Sequence, residues 1–423
     1  MPQPLSRDSM ADWMRGRGRV YWPGCAGHSP LFERWFCGSP ELAADCWFCG
    51  TWIPGVNRFD VTSVHDAARS STFFLSPALR AGWQRGAIEH LPLHYAEIDR
   101  YLATPGRFDV VLLHLAPPDE QGQCSLSLAA DFAPAVMQGL AADAVVLAHI
   151  NPGLPRTRGP GIPVQRINAW VHADEQVLTL VDDAPDASLA AVAAQVALLV
   201  RDGDVLQLGL GKLQGAVLAA LSSHRHLRLH SGMVSDGLLG LIQHGALASN
   251  SAQQPPVCTG VALGSAALYA AVADSSLVQF APTRHTHAQA TLAALPNLIA
   301  INSAITIDLF GQVNVETLAG QQLSGGGGCA DFVRGARASA GGRAIIAATA
   351  RAGREAASRF TPRLADGVVG LTRGDTDIVV TEYGAAHLRH LGVDARARAL
   401  IGIAAPEHRE SLAQAWHTLR RSL

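Results

Sequence analysis

At 423 residues the chain exceeds the size at which a single hydrophobic core stops growing, so two domains are expected. Hydrophobic residues make up 48% of it and charged residues only 16%, with a formal net charge of −2, which excludes a strong field for nucleic acid or an anionic membrane. The stretch Met1 to Gly18 has no continuous apolar run, and no apolar run elsewhere reaches the roughly 18 residues needed to cross a bilayer, so a soluble, cytoplasmic protein is expected.

Four of the seven cysteines crowd into the first fifty residues, at Cys25, Cys37, Cys46 and Cys49. Cys46-Trp47-Phe48-Cys49 has the spacing of half a zinc or redox site. Without a second such pair, and with Trp and Phe inside it, buried structural thiols are expected and no metal. Phe108 to His114 and Ala144 to Ala148 read as buried parallel strands, with helix-compatible residues from Leu126 to Leu140 between them. The polar, proline-bearing stretch Val181 to Asp186 marks a boundary, giving domains 1–185 and 186–423.

Beyond it, Leu189, Val192, Val196 and Leu199 recur at helical spacing over Ser188 to Arg201, after capping candidates at Asp186 and Ser188. Strands are predicted at Asp204 to Leu208, Leu298 to Asn302, Ala344 to Ala348 and Asp377 to Thr381, and helices at Gly215 to Leu221 and Glu407 to Leu419. This alternation predicts an α/β fold of two open, mostly parallel sheets.

Chemistry concentrates at two glycine clusters. The turn Gly209-Leu210-Gly211-Lys212-Leu213-Gln214 follows a predicted strand and enters a predicted helix, where bare backbone and unpaired N–H groups suit an anion or oxyanion. Gln214 breaks the register of a dinucleotide fingerprint. Gly325, Gly326, Gly327 and Gly328 cost conformational entropy, and close approach of a ligand is the obvious candidate reason, with a flexible surface loop as the alternative. His224, His226 and His230 lie among Arg225 and Arg228, and neither they nor the pair His285 and His287 include a nearby carboxylate, so all read as surface or turn histidines.

Several segments in order carry a resemblance. Pro117-Pro118-Asp119-Glu120-Gln121-Gly122-Gln123-Cys124-Ser125-Leu126, Asn151-Pro152-Gly153-Leu154-Pro155-Arg156-Thr157, Ile301-Asn302-Ser303-Ala304, Asp308-Leu309-Phe310-Gly311-Gln312-Val313-Asn314 with Glu316, Asp331-Phe332-Val333-Arg334-Gly335-Ala336 and Val380-Thr381-Glu382-Tyr383-Gly384 are similar to segments of the acetyl-CoA hydrolase/transferase family, close to its 4-hydroxybutyrate CoA-transferases. Leu229-His230-Ser231-Gly232-Met233-Val234-Ser235-Asp236-Gly237 resembles the family's active-site segment, His-Ser/Thr-Glu-Met-x-Ser-Asp-Gly, whose glutamate attacks the acyl thioester. Here that position is Gly232.

The resemblance implies two open α/β domains with acyl-CoA bound between them, and a homodimer. Gly209, Gly211 and Gln214 fall on the family's Gly-x-Gly-x-x-Pro turn, whose amides would face the thioester carbonyl, and Gly325 to Gly328 would line the CoA-binding side. Gln214 replaces the usual proline. In the family, glutamate forms an acyl anhydride, CoA converts it to a glutamyl thioester, and an acceptor carboxylate collects the CoA. Gly232 supplies no carboxylate, so that route cannot run through it.

The expected activity is transfer or hydrolysis of an acyl group from a CoA thioester without the glutamyl intermediate. Its partners are acyl-CoA and a small-molecule acceptor or water, with no cofactor beyond coenzyme A. The alternatives are a catalytically silent acyl-CoA-binding protein and CoA transfer through another carboxylate. Loss of the glutamate is expected to leave a cavity beside the carbonyl, and Gly232→Glu to restore CoA transfer if the frame is intact. Candidates for roles nearby are Asp236 as a hydrogen-bonding group, Glu316 as a general base for water, and Cys329, whose thiol beside the glycine run would have a lowered pKa as an acyl acceptor.

Overall fold

The computed structural model describes the whole chain except residues 181–183, 251–253, 354–355, 366 and 423. Val181 to Asp183 of the expected boundary therefore lie outside the described residues. The chain forms two compact units: Met1–Leu180 with Val257–Thr286 and Leu323–Gly327, and Val181–Pro256 with His287–Gln322 and Gly328–Leu423. The division into 1–185 and 186–423 assigned 257–286 and 323–327 to the second half. Backbone hydrogen bonds tie them to the first: Ala130 N donates to Gly260 O (2.9 Å), Leu75 N to Ser324 O (3.3 Å) and Tyr95 N to Gly327 O (3.2 Å).

In the first unit, strands β1 (Gln3–Pro4), β2 (Arg19–Tyr21), β3 (Trp47–Gly50), β4 (Arg69–Thr72), β5 (Ile88–His90), β6 (Phe108–Leu115), β7 (Leu140–Ile150) and β8 (Ala169–His172) form one sheet. Their order is β1-β8-β7-β6-β2-β3-β4-β5. Every neighbouring pair is parallel. A parallel sheet must be covered on both faces, which explains the near-continuous apolar runs of β6 and β7. Trp22, Phe36 and Phe48 lie under the sheet with ring centroids 5.0 to 6.0 Å apart. Cys46 and Cys49 are buried here, and burial raises their thiols to about 11 and about 12. The helix expected between β6 and β7 shrinks to Ala133–Val136. Residues 126–132 are instead irregular, with Ser127 at φ 54°, Leu128 O accepting from Ala262 N and Ala130 N donating to Gly260 O.

The second unit carries β9 (Val205–Leu208), β10 (Arg228–Val234), β11 (Leu298–Ser303), β12 (Arg343–Ala347), β13 (Ile378–Thr381) and β14 (Gly384–His387), in the order β10-β9-β11-β12-β13-β14. The first five run parallel and β14 turns back antiparallel. Helix α1 (Ala187–Ala197) starts as its sequence predicts, Asp186 accepting the backbone N–H of Leu189 at 2.9 Å. Helices α2 (Lys212–Ala220), α3 (Gly237–Gln243), α4 (Gln289–Ala294), α5 (Cys329–Ala338) and α6 (Pro406–Arg420) complete the layers used below. Leu298, Ala300, Ile346 and Val379 of the strands pack with Phe332, Val333 and Ala336 of α5 and Trp416 of α6 in one core. No helix among the described residues is long and apolar enough to cross a membrane.

A buried ion pair closes the start of this sheet. Arg343 Nη2 lies 2.7 Å from Asp204 Oδ2, its Nη1 donates to Leu199 O at 2.7 Å, and the same carboxylate accepts Arg201 N at 2.7 Å. Replacing Arg343 with Met is expected to lower stability by about 3 kcal/mol in urea unfolding, because it strands the Asp204 charge. Adding Asp204→Asn to that variant should return part of the loss.

Candidate active site

Open parallel sheets bind ligands outside the carboxyl ends of their strands, where the strand order reverses. In the second unit that reversal falls between β9 and β11, since β10 lies on one side of β9 and β11, β12 and β13 follow on the other. Three predicted segments meet at this edge: the glycine turn after β9, the end of β10 with Gly232, and Ser303 at the end of β11.

The turn is built from backbone demands. Gly211 has φ 122° and ψ 170°, a conformation that side chains with a Cβ rarely adopt, and it stands immediately before α2. Gln214, in the first turn of α2, is buried and donates its Nε2 to Ser303 Oγ at 2.7 Å. The residue that departs from the expected proline thus pins the turn to the neighbouring strand. Ser231 Oγ donates to Leu208 O at 2.6 Å, fixing the end of β10 against the end of β9. Its hydroxyl serves this bond, and His230, adjacent on the strand, points to the other face. At Gly209 an added Cβ would meet nothing within 4 Å. No neighbour among the described residues requires that glycine.

Gly232 stands otherwise. His230 and Gly232 share one face of β10, and the imidazole of His287 packs on that face. A Cβ at Gly232 would lie 2.8 Å from His287 Cε1 and 3.0 Å from Nε2, well inside the 3.5 to 4.0 Å at which carbon atoms rest against one another. A Cβ at Gly328 would lie 2.5 Å from the same Nε2 and 2.7 Å from Cδ2. The ring of Phe332 closes a further side with its centroid 4.5 Å away. The expected cavity at 232 is therefore filled: the imidazole edge is held between two bare backbones.

His287 is 2% exposed and His230 5%, so neither is the surface histidine its sequence context suggested. Burial, with His230 nearby, lowers His287 to about 3 and leaves the imidazole neutral. Sequence reasoning missed this residue because its partners lie far away in the chain. The only available signal was the pair of glycines that accommodates it.

The remaining candidates take structural positions. Asp236 precedes α3 and its carbonyl accepts Leu239 N at 3.0 Å. Glu316 is buried on the loop after Asn314; its backbone N–H donates to Asn314 Oδ1 (3.0 Å) and its carboxylate accepts Gln322 Nε2 (3.0 Å). Cys329 opens α5, but its thiol is raised to about 12, by burial first and then by Asp331, Asp375 and Glu316. The lowered pKa that the acyl-acceptor role requires is not found: burial and three carboxylates outweigh the helix terminus, which fits an inert residue at this position. Of the glycine run, Gly325 to Gly327 belong to the first unit and Gly328 to the second. A Cβ at Gly325 would strike the Phe73 carbonyl oxygen at 2.2 Å, and Gly327 has φ 55°. Close packing of the chain on itself accounts for Gly325, and backbone conformation for Gly327, before any ligand is invoked. The first unit also holds Asp131, whose carboxyl accepts Phe132 N at 2.9 Å and is raised by burial to about 7.

Two expectations follow. Gly232→Ala should cost about 1–3 kcal/mol in chemical unfolding, because the buried ring has to shift. His287 binds its proton in the unfolded chain near pH 6.5 and in the folded one only near 3, so stability it contributes is complete above the unfolded value and falls as pH drops from about 6.5 towards 3. Asp131, raised when folded from 3.8 to about 7, acts with the opposite sign over much of the same range, its contribution falling as pH rises towards 7, so the comparison has to be made between variants. His287→Asn should flatten the acid limb of a stability-against-pH curve; an unchanged limb would show that the imidazole is not held neutral.

Comparison with known proteins places this geometry. Residues 264–416 match the family model of the acetyl-CoA hydrolase/transferase C-terminal domain. The chain is 34% identical to 4-hydroxybutyrate coenzyme A transferase of Clostridium kluyveri over 81% of this chain and 81% of that protein. It is 32% identical to succinyl-CoA:cyclohexane-1-carboxylate CoA transferase of Geobacter metallireducens over 83% of this chain and 80% of that one. Among solved structures, 4-hydroxybutyrate CoA-transferase from Porphyromonas gingivalis superposes with a TM-score of 0.80 at 25% identity, covering 100% of this chain and 98% of the other.

Proposed function

The chain belongs to the acetyl-CoA hydrolase/transferase family, and from that premise we propose that it transfers or hydrolyses the acyl group of a CoA thioester without passing through a glutamyl intermediate. One observation carries the reading. Gly232, which the resemblance aligns with the family glutamate, is a bare backbone with a neutral imidazole against it, while a Cβ at Gly209 in the turn after β9 would meet nothing within 4 Å among the described residues. The thioester carbonyl is placed against the amides of Gly209 and Gly211, and the attacking group comes from water or from a small-molecule acceptor. Coenzyme A is the leaving group, and no further cofactor enters the reaction.

Glu316 is a weaker substitute in this reading. Its carboxylate is occupied by Gln322, and its loop is fixed by Asn314. It acts as an acceptor that orients the loop.

The test is to incubate the chain with a panel of short acyl-CoAs, follow free thiol, and trap with borohydride or hydroxylamine. Thiol release without protein-bound CoA is expected, and a CoA adduct on any carboxylate would overturn the proposal. Because a Cβ at Gly209 would meet nothing within 4 Å among the described residues, Gly209→Ala should not lower the melting temperature. If that turn carries the oxyanion, the same variant should lower kcat/KM for acyl-CoA on the order of 10²-fold.

A further inference from the structure

We infer that His287 is a specificity-determining residue: its imidazole holds the volume in which a glutamate at 232 would stand, so that the anhydride route is closed by shape as well as by loss of the carboxylate. The inference rests on the proposed acyl-CoA reading and goes further, because it assigns the change of chemistry to a pair of positions.

The geometry leaves the ring little choice. Gly232 and Gly328 bound it on two sides and Phe332 on a third; the phenyl Cε2 is itself 3.8 Å from a Cβ at 232 and 3.4 Å from one at 328. The backbone that carries His287 is anchored as well. Gln289 Nε2, two residues on, donates to Asp331 O at 2.8 Å. Leu292 of α4 fits onto the bare backbone of Gly335 in α5, where a Cβ would lie 2.4 Å from the leucine Cβ. Because the ring is 2% exposed and packed by these contacts, a glutamate at 232 has to displace the imidazole end of His287 before it can take its place. Restoring the carboxylate alone therefore works against that packing. Removing the imidazole beyond Cβ supplies a volume comparable to that of the glutamate side chain.

With room restored, the chemistry balances without any further reagent. A glutamate oxygen attacks the thioester carbonyl carbon, the C–O bond forms, the C–S bond breaks, and CoA leaves as thiolate. The thiolate then attacks the glutamyl carbonyl of the anhydride, releasing the acyl group as a free carboxylate and leaving CoA joined to the glutamate as a thioester.

The experiment compares Gly232→Glu with Gly232→Glu/His287→Ala, each incubated with acetyl-CoA or butyryl-CoA and read by intact mass and by hydroxylamine sensitivity, with CoA binding measured by calorimetry. The double variant is expected to gain the mass of CoA less one water, at least about tenfold more abundantly than the single variant, a difference of roughly 1.4 kcal/mol in favour of the adduct. Equal adduct in both variants would overturn the inference, as would its absence from a double variant that still binds CoA. Failure of the unaltered chain to bind CoA would instead overturn the acyl-CoA reading, and the inference with it. A measurement independent of CoA guards against misfolding: the fall in melting temperature caused by Gly232→Ala should shrink by more than half on a His287→Ala background. Equal falls on both backgrounds would show that the ring and position 232 do not compete for space.

Discussion

The parallel ladder of the second unit is the constraint from which its site follows. Strands β10, β9, β11, β12 and β13 all point the same way, so each connection has to leave from the same edge and return by a crossover. Their backbones are satisfied within the sheet and their faces are covered by helices, which leaves the strand ends as the place where polar and bare backbone groups collect. The turn from β9 into α2 and the end of β10 are neighbours for this reason. Two hydrogen bonds, Ser231 to Leu208 and Gln214 to Ser303, lock three strand ends into one rigid rim. A site built on such a rim keeps its shape when one of its side chains changes.

That rigidity gives meaning to the exchange at position 232. Deleting a side chain from a close-packed interior ordinarily leaves a cavity and destabilises the fold. Here the volume is taken by an imidazole from the segment leading into α4, and Phe332 of α5 packs on the ring. A buried neutral ring also avoids the desolvation penalty that an ionised carboxylate would meet in the same surroundings. The local change therefore keeps the packing and removes the negative charge.

Much of this was legible in the sequence, and the structure shows why. Several family-like segments are turns in which one side chain caps several backbone groups. Asp119 accepts Gln121 N and Gln123 N and pairs with Arg156. Asn151 holds Gly153 N and the carbonyl of Glu175, Asp308 accepts Phe310 N and Gln312 N, and Glu382 accepts Ala350 N. Such residues are fixed by local geometry, so they announce a fold more directly than a reaction. The central strands were legible from their apolar runs and α1 from its cap. The region 126–132 was not, because helix-compatible composition gave way to pairing with distant segments. His287 was hidden for the same kind of reason: its burial depends on two glycines brought to it by different elements. Cys329 misled in the opposite sense, since a helix terminus is visible in sequence whereas the carboxylates around it are not.

The glycines can be sorted by what a side chain at each would encounter, and the sorting bears on where a ligand belongs. Gly325 lies against a carbonyl of its own unit, Gly335 against Leu292, Gly237 against Leu218, and Gly232 and Gly328 against His287. Gly211 is required by its dihedral angle. Each of these is accounted for by the folded chain alone and is no evidence of a substrate. Gly209 is different: it has open space at its Cβ position and no positive φ, yet it sits at the carboxyl end of β9 beside the reversal of strand order. A glycine there costs the chain entropy on folding without a packing reason to offset it. On the proposed acyl-CoA reading, this is the backbone that a thioester carbonyl would approach.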